Sequence, residues 1–147
     1  PSPQGIPWSQ DTATENKDIE KIVIICGHYK GVDQRVIDKY VTHEYSMGDF
    51  VLSCGEIPAM MIIDSIVRLL PGVLNDINSS KTDTFSSKLL DSPHYTQPRE
   101  INGLQVPEIL LSGNHAKIRS WKKKVQLETT KLKRPDIWKK YLNNKSE

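Results

Sequence analysis

The chain has 147 residues, of which 37 % are hydrophobic and 26 % charged, and a net charge of +2. This composition is typical of a soluble globular protein with one domain, or one domain and a small appendage. No apolar run approaches the roughly 18 residues that a transmembrane helix needs. The sequence shows no leader that is basic and then apolar, so a secreted product is not expected. Cys26 and Cys54 lack metal-ligand spacing and are expected to be free thiols in a reducing cytoplasm.

The β-branched run of residues 21–26 predicts a strand buried on both faces of a parallel sheet. The loop 27–31 follows at its carboxyl end, where open α/β sheets bind ligands. A short helix is predicted over residues 33–41 and a second apolar strand over residues 50–53. A longer helix begins near Pro58 and stops at Pro71-Gly72. This alternation of strand and helix predicts an α/β fold.

Glycines on either side of the second strand indicate a small-molecule site. Gly48 and Gly55 bracket the strand, and a residue without Cβ lets the backbone approach a ligand closely. The helix that follows has Ile62 and Ile66 at helical spacing, which predicts one buried face. Glycines that only make turns would give the same pattern.

The C-terminal part is predicted to be helical and basic. Residues 75–88 are polar and predict a flexible linker, and prolines punctuate an irregular stretch over residues 92–107. Asn114 is predicted to cap a helix from His115 to about Leu127, and a second short helix is predicted over residues 135–142.

Charge is unevenly distributed along the chain. Residues 1–110 contain 9 Lys or Arg and 15 Asp or Glu, whereas residues 111–147 contain 11 and 3. A basic segment after an acidic body indicates contact with a polyanion. A solvated helix face would give the same pattern.

The order of the motifs is more specific than any one motif. The ordered segments are Ser2-Pro3-Gln4-Gly5 and residues 26–36, 46–56, 68–74, 89–96, 111–115 and 134–136. In this order they resemble the bacterial tRNA (guanine-N1)-methyltransferase family, the TrmD family of the SPOUT, or trefoil-knot, methyltransferases. The resemblance runs from the middle of the knotted domain to the C-terminal domain.

The resemblance implies an α/β fold with two domains joined by a linker. A SPOUT-type knotted parallel sheet domain that binds S-adenosylmethionine would cover residues 1–74, and a flexible interdomain linker residues 75–88. A small helical tRNA-binding domain would cover residues 89–147. Because family members carry further strands before the Ser2-Pro3-Gln4-Gly5 motif, the N-terminal strands of the sheet are expected to be missing here.

The resemblance also implies that S-adenosylmethionine is held by three loops: the first loop (residues 2–5), the second loop (27–31) and the third loop (46–58). The implied cofactor-binding residues are Pro3, Gly5, Gly27, Tyr29, Gly31, Ser46, Met47, Gly48, Leu52, Gly55 and Pro58. Cys54 stands where the family usually has glycine, and Lys30 reverses a charge, so both put a cofactor contact in doubt. No metal site is expected, and assistance by Mg²⁺ is left open.

The implied reaction is methylation of N1 of the guanine on the 3′ side of the anticodon. This chemistry needs a base at N1 and a positive partner for the charge that develops on O6. By position, Asp83 would be the base and Arg68 the O6 partner. Without the resemblance, Asp83 is one acid in a polar segment and Arg68 a favourable arginine at a helix end.

The implied partner is the tRNA anticodon stem–loop, and the implied assembly is a cytoplasmic homodimer with the active site at its interface. The implied RNA-binding residues are Lys117, Arg119, Lys122, Lys123, Lys124 and Arg134. Two alternatives stay open at this point. One is a non-catalytic RNA-binding fragment, and the other is a related knotted RNA ribose 2′-O-methyltransferase.

Overall fold

The computed structural model describes residues 1–73, 84–85 and 87–144. They form a mixed α/β structure with one parallel and one antiparallel two-stranded sheet and several helices. The chain divides into two compact units, Pro1–Ser80 and Lys81–Glu147. Most of the predicted linker lies outside the described residues.

The first unit contains two short strands and three helices. They are β1 (Ile6–Pro7), α1 (Gln10–Asn16), α2 (Gln34–Tyr40), β2 (Tyr45–Ser46) and α3 (Glu56–Val67). Strands β1 and β2 pair in parallel, with Ile6 opposite Tyr45, and α1 packs on α3. Ser9 caps α1 because its side chain accepts a hydrogen bond from the Thr12 amide at 3.2 Å.

The core of this unit is small and lies between α1 and α3. Ile62 and Ile66 of α3 are buried together with Ala13 of α1. This confirms the buried face that the helical spacing predicts. Helix α3 begins two residues before Pro58, which occupies its first turn, and Arg68 is its C-cap residue. The predicted helix over residues 33–41 is also confirmed by α2, which Asp33 caps.

The predictions of strands over residues 21–26 and 50–53 are wrong. Residues 21–26 and 50–53 have no strand assignment, and Val23 and Val51 are 91 % and 95 % exposed. A strand buried in a parallel sheet needs hydrogen-bonded neighbours and covered faces. Around these segments the described residues supply one isolated antiparallel bridge, from His28 to Cys54.

The second unit contains a hairpin and three helices. They are β3 (Glu100–Ile101), β4 (Leu104–Gln105), α4 (Glu108–Leu111), α5 (His115–Lys133) and α6 (Pro135–Asn143). The hairpin lies in the stretch predicted to be irregular. Its turn residues Asn102 and Gly103 both have positive φ, 52° and 79°, as a type I′ hairpin turn requires. The Asn-Gly dipeptide between apolar residues was therefore an overlooked signal.

Helix α5 begins where the sequence predicts but is longer. Asn114 caps it by accepting a hydrogen bond from the Lys117 amide at 3.1 Å. The helix continues six residues past Leu127 to Lys133, and its last turns contain Thr130, which is fully buried. The following helix α6 packs against α5, which confirms the second predicted helix.

Candidate functional site

The first loop lies directly against the backbone that leads into the third loop. The amides of Ser2 and Ile6 donate hydrogen bonds to the carbonyl oxygens of Tyr45 and Glu44, both at 2.9 Å. A Cβ on Gly5 would lie 2.4 Å from the Glu44 carbonyl carbon and the Tyr45 nitrogen. Because backbone atoms cannot move aside as a flexible side chain can, this approach requires glycine.

Trp8 anchors the chain just after the first loop. Its indole N–H donates a hydrogen bond to Ser65 Oγ of α3 at 2.9 Å, and its amide donates to the Ser46 carbonyl at 2.8 Å. Its ring packs edge-on against Tyr45, with centroids 4.8 Å apart. Sequence reasoning missed Trp8. A large aromatic residue with a polar group, three positions after a glycine turn, was the available signal.

The second loop meets the other end of the third loop. His28 and Cys54 form an antiparallel bridge, and the Gly55 amide donates to the Gly27 carbonyl at 2.9 Å. A Cβ on Gly55 would lie 2.7 Å from the Gly27 nitrogen, so glycine is again required. The first loop therefore lies against the residues that directly precede the third loop, and the third loop contacts the second loop near Gly55. The structure brings the three predicted loops together within one unit.

A hydrogen-bonded pair of side chains ties the second loop to the start of α3. His28 Nε2 lies 2.7 Å from Glu56 Oε1, and both side chains are about half exposed. The hydrogen bond from His28 is the main cause that lowers the pKa of Glu56 below its ordinary value. Glu56 is in the first turn of the helix, where the dipole favours a negative charge.

The other implied cofactor residues fall into two groups. Ser46, Gly55 and Pro58 are buried, and Met47 packs on the apolar core. The exposed group offers surface that a ligand would cover, and Tyr29 is its most prominent member, with φ of 55° and a fully exposed side chain. The exposed residues are Pro3, Tyr29, Gly31, Gly48 and Leu52.

Of the two implied catalytic residues, the structure describes only Arg68. Arg68 is exposed at the C-terminal end of α3. Asp83 lies outside the described residues, so its proposed partnership with Arg68 stays a prediction.

The implied RNA-binding residues are concentrated on α5. Lys117, Arg119, Lys122, Lys123 and Lys124 are all exposed. Their ammonium and guanidinium groups are available to solvent, with two weak local contacts. Lys124 Nζ lies 3.9 Å from Glu128 Oε1, and Lys123 Nζ lies 5.7 Å from the centre of the Tyr141 ring.

Arg134 differs from these lysines because it is already paired. Its Nη2 donates to Asp136 Oδ2 at 2.7 Å and its Nε donates to Oδ1 at 2.9 Å. This bidentate contact lowers the pKa of Asp136 to about 2. An RNA phosphate would have to compete with Asp136 for the guanidinium.

A polar cluster that sequence reasoning did not identify holds the start of the second unit on α5. Asp91 Oδ1 accepts hydrogen bonds from the Ser92 amide at 2.6 Å and Gln126 Nε2 at 3.1 Å, and Asp91 Oδ2 lies 2.9 Å from His94 Nε2. Partial burial raises the pKa of Asp91, but the bonds from Ser92, His94 and Gln126 outweigh it, so the pKa lies below its ordinary value. Beside it, Thr130 Oγ1 accepts from the Leu90 amide at 2.9 Å.

Residues 1–73, 84–85 and 87–144 contain no group of three His, Cys, Asp or Glu side chains that could hold a metal ion. No helix within the same ranges is long and apolar enough to cross a membrane.

Comparisons with known proteins point to one family. The family described as tRNA (Guanine-1)-methyltransferase TrmD matches residues 1–140. A tRNA (guanine-N(1)-)-methyltransferase of Bacillus velezensis is 54 % identical over 139 residues, which is 95 % of this chain and 57 % of the relative. Proteins of the same description from Staphylococcus carnosus and Alkaliphilus metalliredigens are 52 % and 49 % identical, over 95 % and 99 % of this chain. The chain spans somewhat more than half the length of these relatives.

Proposed function

Because this chain belongs to the tRNA (guanine-N1)-methyltransferase family TrmD, we propose that it methylates N1 of the guanine 3′ of the tRNA anticodon, with S-adenosylmethionine as methyl donor. The observation that carries the proposal is the family match over residues 1–140. Among the loops expected to hold the donor, the second and third contact each other, and the first lies against the residues that lead into the third.

The loops offer features that suit an adenosine group. Bound S-adenosylmethionine supplies an electrophilic methyl group on a sulfonium ion. The close backbone approach at Gly55 holds the second loop on the third, and the exposed side chains of Tyr29 and Leu52 in these two loops offer flat and apolar surface. Flat bases are commonly held by backbone polar groups between apolar walls.

For the transfer step we assign two roles within this chain. N1 of guanine carries a proton at neutral pH, and it is a poor nucleophile until that proton is removed. Asp83 would accept that proton, and the Arg68 guanidinium would stabilise the negative charge that develops on O6. The location of Arg68 at the end of α3, in the same unit as the three loops, supports its role.

The exposed cations along α5 would position the RNA through its phosphates. Five exposed cations on one helix suit sequence-independent phosphate contacts, which fix register and orientation. Base recognition would then be limited to the reactive guanine, which would be taken out of the base stack, and to its neighbour. Arg134 is a weaker member of this set because Asp136 already occupies its Nε and Nη2 donors.

Three further features belong to the same proposal. The first domain would be a trefoil-knotted sheet over residues 1–74 and would be joined by the linker 75–88 to an RNA-binding domain over residues 89–147. The active site would form between two copies of the protein in a cytoplasmic homodimer. The family match supports all three.

A binding protein without transferase activity is the second candidate. The observation that favours it is the exposure of apolar side chains just before the second loop and within the third, where a complete cofactor wall would be packed. They are Ile22, Val23, Ile25, Phe50, Val51 and Leu52. The family match favours base methylation over ribose 2′-O-methylation.

One experiment separates these functions. The protein is incubated with labelled S-adenosylmethionine and two tRNA transcripts, one with guanine and one with adenine 3′ of the anticodon. We expect label in the guanine transcript only, and we expect Arg68→Ala and Asp83→Ala to lose transfer while keeping RNA affinity. Arg35→Ala, which changes an exposed arginine paired with Asp33, is the matched control. RNA binding without label in any transcript would support the binding protein instead.

A further inference from the structure

A cleft in the second unit has no assigned role. It has a volume of about 420 Å³ and lies between residues 95–99, the residue after β4, and α4. Sites for small molecules commonly have volumes from about 300 to 1,000 Å³. The cleft is therefore large enough for one nucleotide, although not for a long segment of folded RNA.

The rim of the cleft consists of polar side chains without hydrogen-bond partners among the described residues. Tyr95, Thr96, Gln97 and Arg99 line it, and their side chains form no hydrogen bond with any residue that the structure describes. Arg134 in the same unit, by contrast, is paired with Asp136. Hydrogen-bonding groups held at a cleft without protein partners are suited to a ligand.

The floor and the backbone of the cleft are fixed by the hairpin. Val106 and Leu111 supply its apolar surface. The Val106 amide donates to the Arg99 carbonyl at 2.9 Å and so continues the β3–β4 ladder by one pair. Arg99 is therefore held at the base of the hairpin, and the neighbouring Glu100 carboxylate is occupied by Gln105 Nε2 at 3.0 Å.

We propose that this cleft binds one nucleotide of the RNA, with the Tyr95 ring stacked on an unpaired base and the Arg99 guanidinium on its phosphate. The inference rests on the proposed function, since it assumes that the protein binds RNA. Tyr95 is 47 % exposed, so part of its side chain is accessible to a base. A planar guanidinium binds two phosphate oxygens at once, and aromatic stacking accepts any base. The cleft thus adds a single-stranded contact to the helical phosphate contacts of α5.

The test measures binding of an anticodon stem–loop transcript by fluorescence anisotropy across a salt series. Tyr95→Leu should weaken binding by about 5- to 100-fold, whereas Tyr95→Phe, which keeps the ring, should bind within about twofold of the unmodified protein. Arg99→Gln should lower the slope of log affinity against log salt by about 0.7 to 0.9. Tyr40→Leu and Arg35→Gln change exposed residues of the same types in the first unit and should alter neither quantity.

The outcomes distinguish this inference from the proposed function. If Tyr95→Leu and Arg99→Gln bind like the unmodified protein while a Lys122, Lys123 and Lys124 to Gln variant loses affinity, the cleft inference is overturned and RNA binding by α5 stands. If Tyr95→Phe is as weak as Tyr95→Leu, stacking is overturned. If the unmodified protein does not bind the transcript, the inference and the RNA-binding part of the proposed function fail together. Arg99→Gln keeps the test valid if Tyr95→Leu unfolds, because the Arg99 side chain has no hydrogen-bond partner among the described residues.

Discussion

The two units of this chain are held by different kinds of contact. In the first unit, the loops are positioned by backbone approaches that leave no room for a Cβ at Gly5 or Gly55, over a small apolar core. In the second unit, a buried threonine and an aspartate connect residues 90–94 to α5 through side-chain hydrogen bonds. The first arrangement is therefore sensitive to added volume, and the second to the loss of a polar partner.

The largest effect is expected from added volume at the first loop. Gly5→Ala would place a methyl group 2.4 Å from the backbone of Glu44 and Tyr45, which forces the loop away at a cost of about 3 kcal/mol. S-adenosylmethionine binding, measured by calorimetry, should fall by at least tenfold. Gly72→Asn is the control, since a Cβ there meets nothing within 4 Å and asparagine tolerates its positive φ. Equal binding by Gly5→Ala and the unmodified protein would contradict the close approach.

The next effect is expected from the polar partner in the second unit. Thr130→Val keeps the shape of a fully buried side chain but leaves the Leu90 amide without its acceptor, which should cost about 1 to 3 kcal/mol of unfolding free energy. Urea unfolding followed by the fluorescence of Trp121 and Trp138 measures the loss. Thr129→Val on the same helix should cost clearly less, and equal losses in the two variants would contradict the role of the hydroxyl.

A smaller effect is expected where the first unit does use a side-chain hydrogen bond. Ser65→Ala removes the acceptor of the Trp8 indole and should cost about 1 kcal/mol, measured by urea unfolding followed by circular dichroism. Ser65→Thr keeps a hydroxyl and should recover most of the loss. In a double-mutant cycle with Trp8→Phe, an interaction energy near zero would show that the bond contributes nothing.

The smallest effect is expected from pH. The pKa of Asp91 is lowered in the folded protein, so its charged form stabilises the fold above the ordinary value of 3.8, and this contribution is lost as pH falls through the folded pKa. The unfolding midpoint of the second unit should therefore decline below about pH 4. The decline should be shallower in Asp91→Asn, which cannot change its charge. Parallel pH curves for the two proteins would show that ionisation of Asp91 does not contribute to stability.

Local patterns determined the helices well because helix signals lie close together in sequence. The spacing of Ile62 and Ile66 identified the buried face of α3, and Asn114 located the start of α5 by its capping hydrogen bond. The predicted end of α5 was six residues too early, since the hydrogen-bond partner of Thr130 in its last turns is Leu90, 40 positions away in the sequence. The ordered motifs also identified the family, which the match over residues 1–140 confirms.

Contacts between distant positions were decided by the tertiary structure alone. The apolar run of residues 21–26 predicts a buried strand, but burial depends on neighbours that a run cannot specify, and Val23 is exposed in the structure. No local pattern joins Trp8 to Ser65, which are 57 positions apart, or sets Gly55 against Gly27. The sequence by itself determined helix faces, caps and family, because these depend on short-range order. The packing of the three loops was decided only when distant backbone segments came within hydrogen-bonding distance.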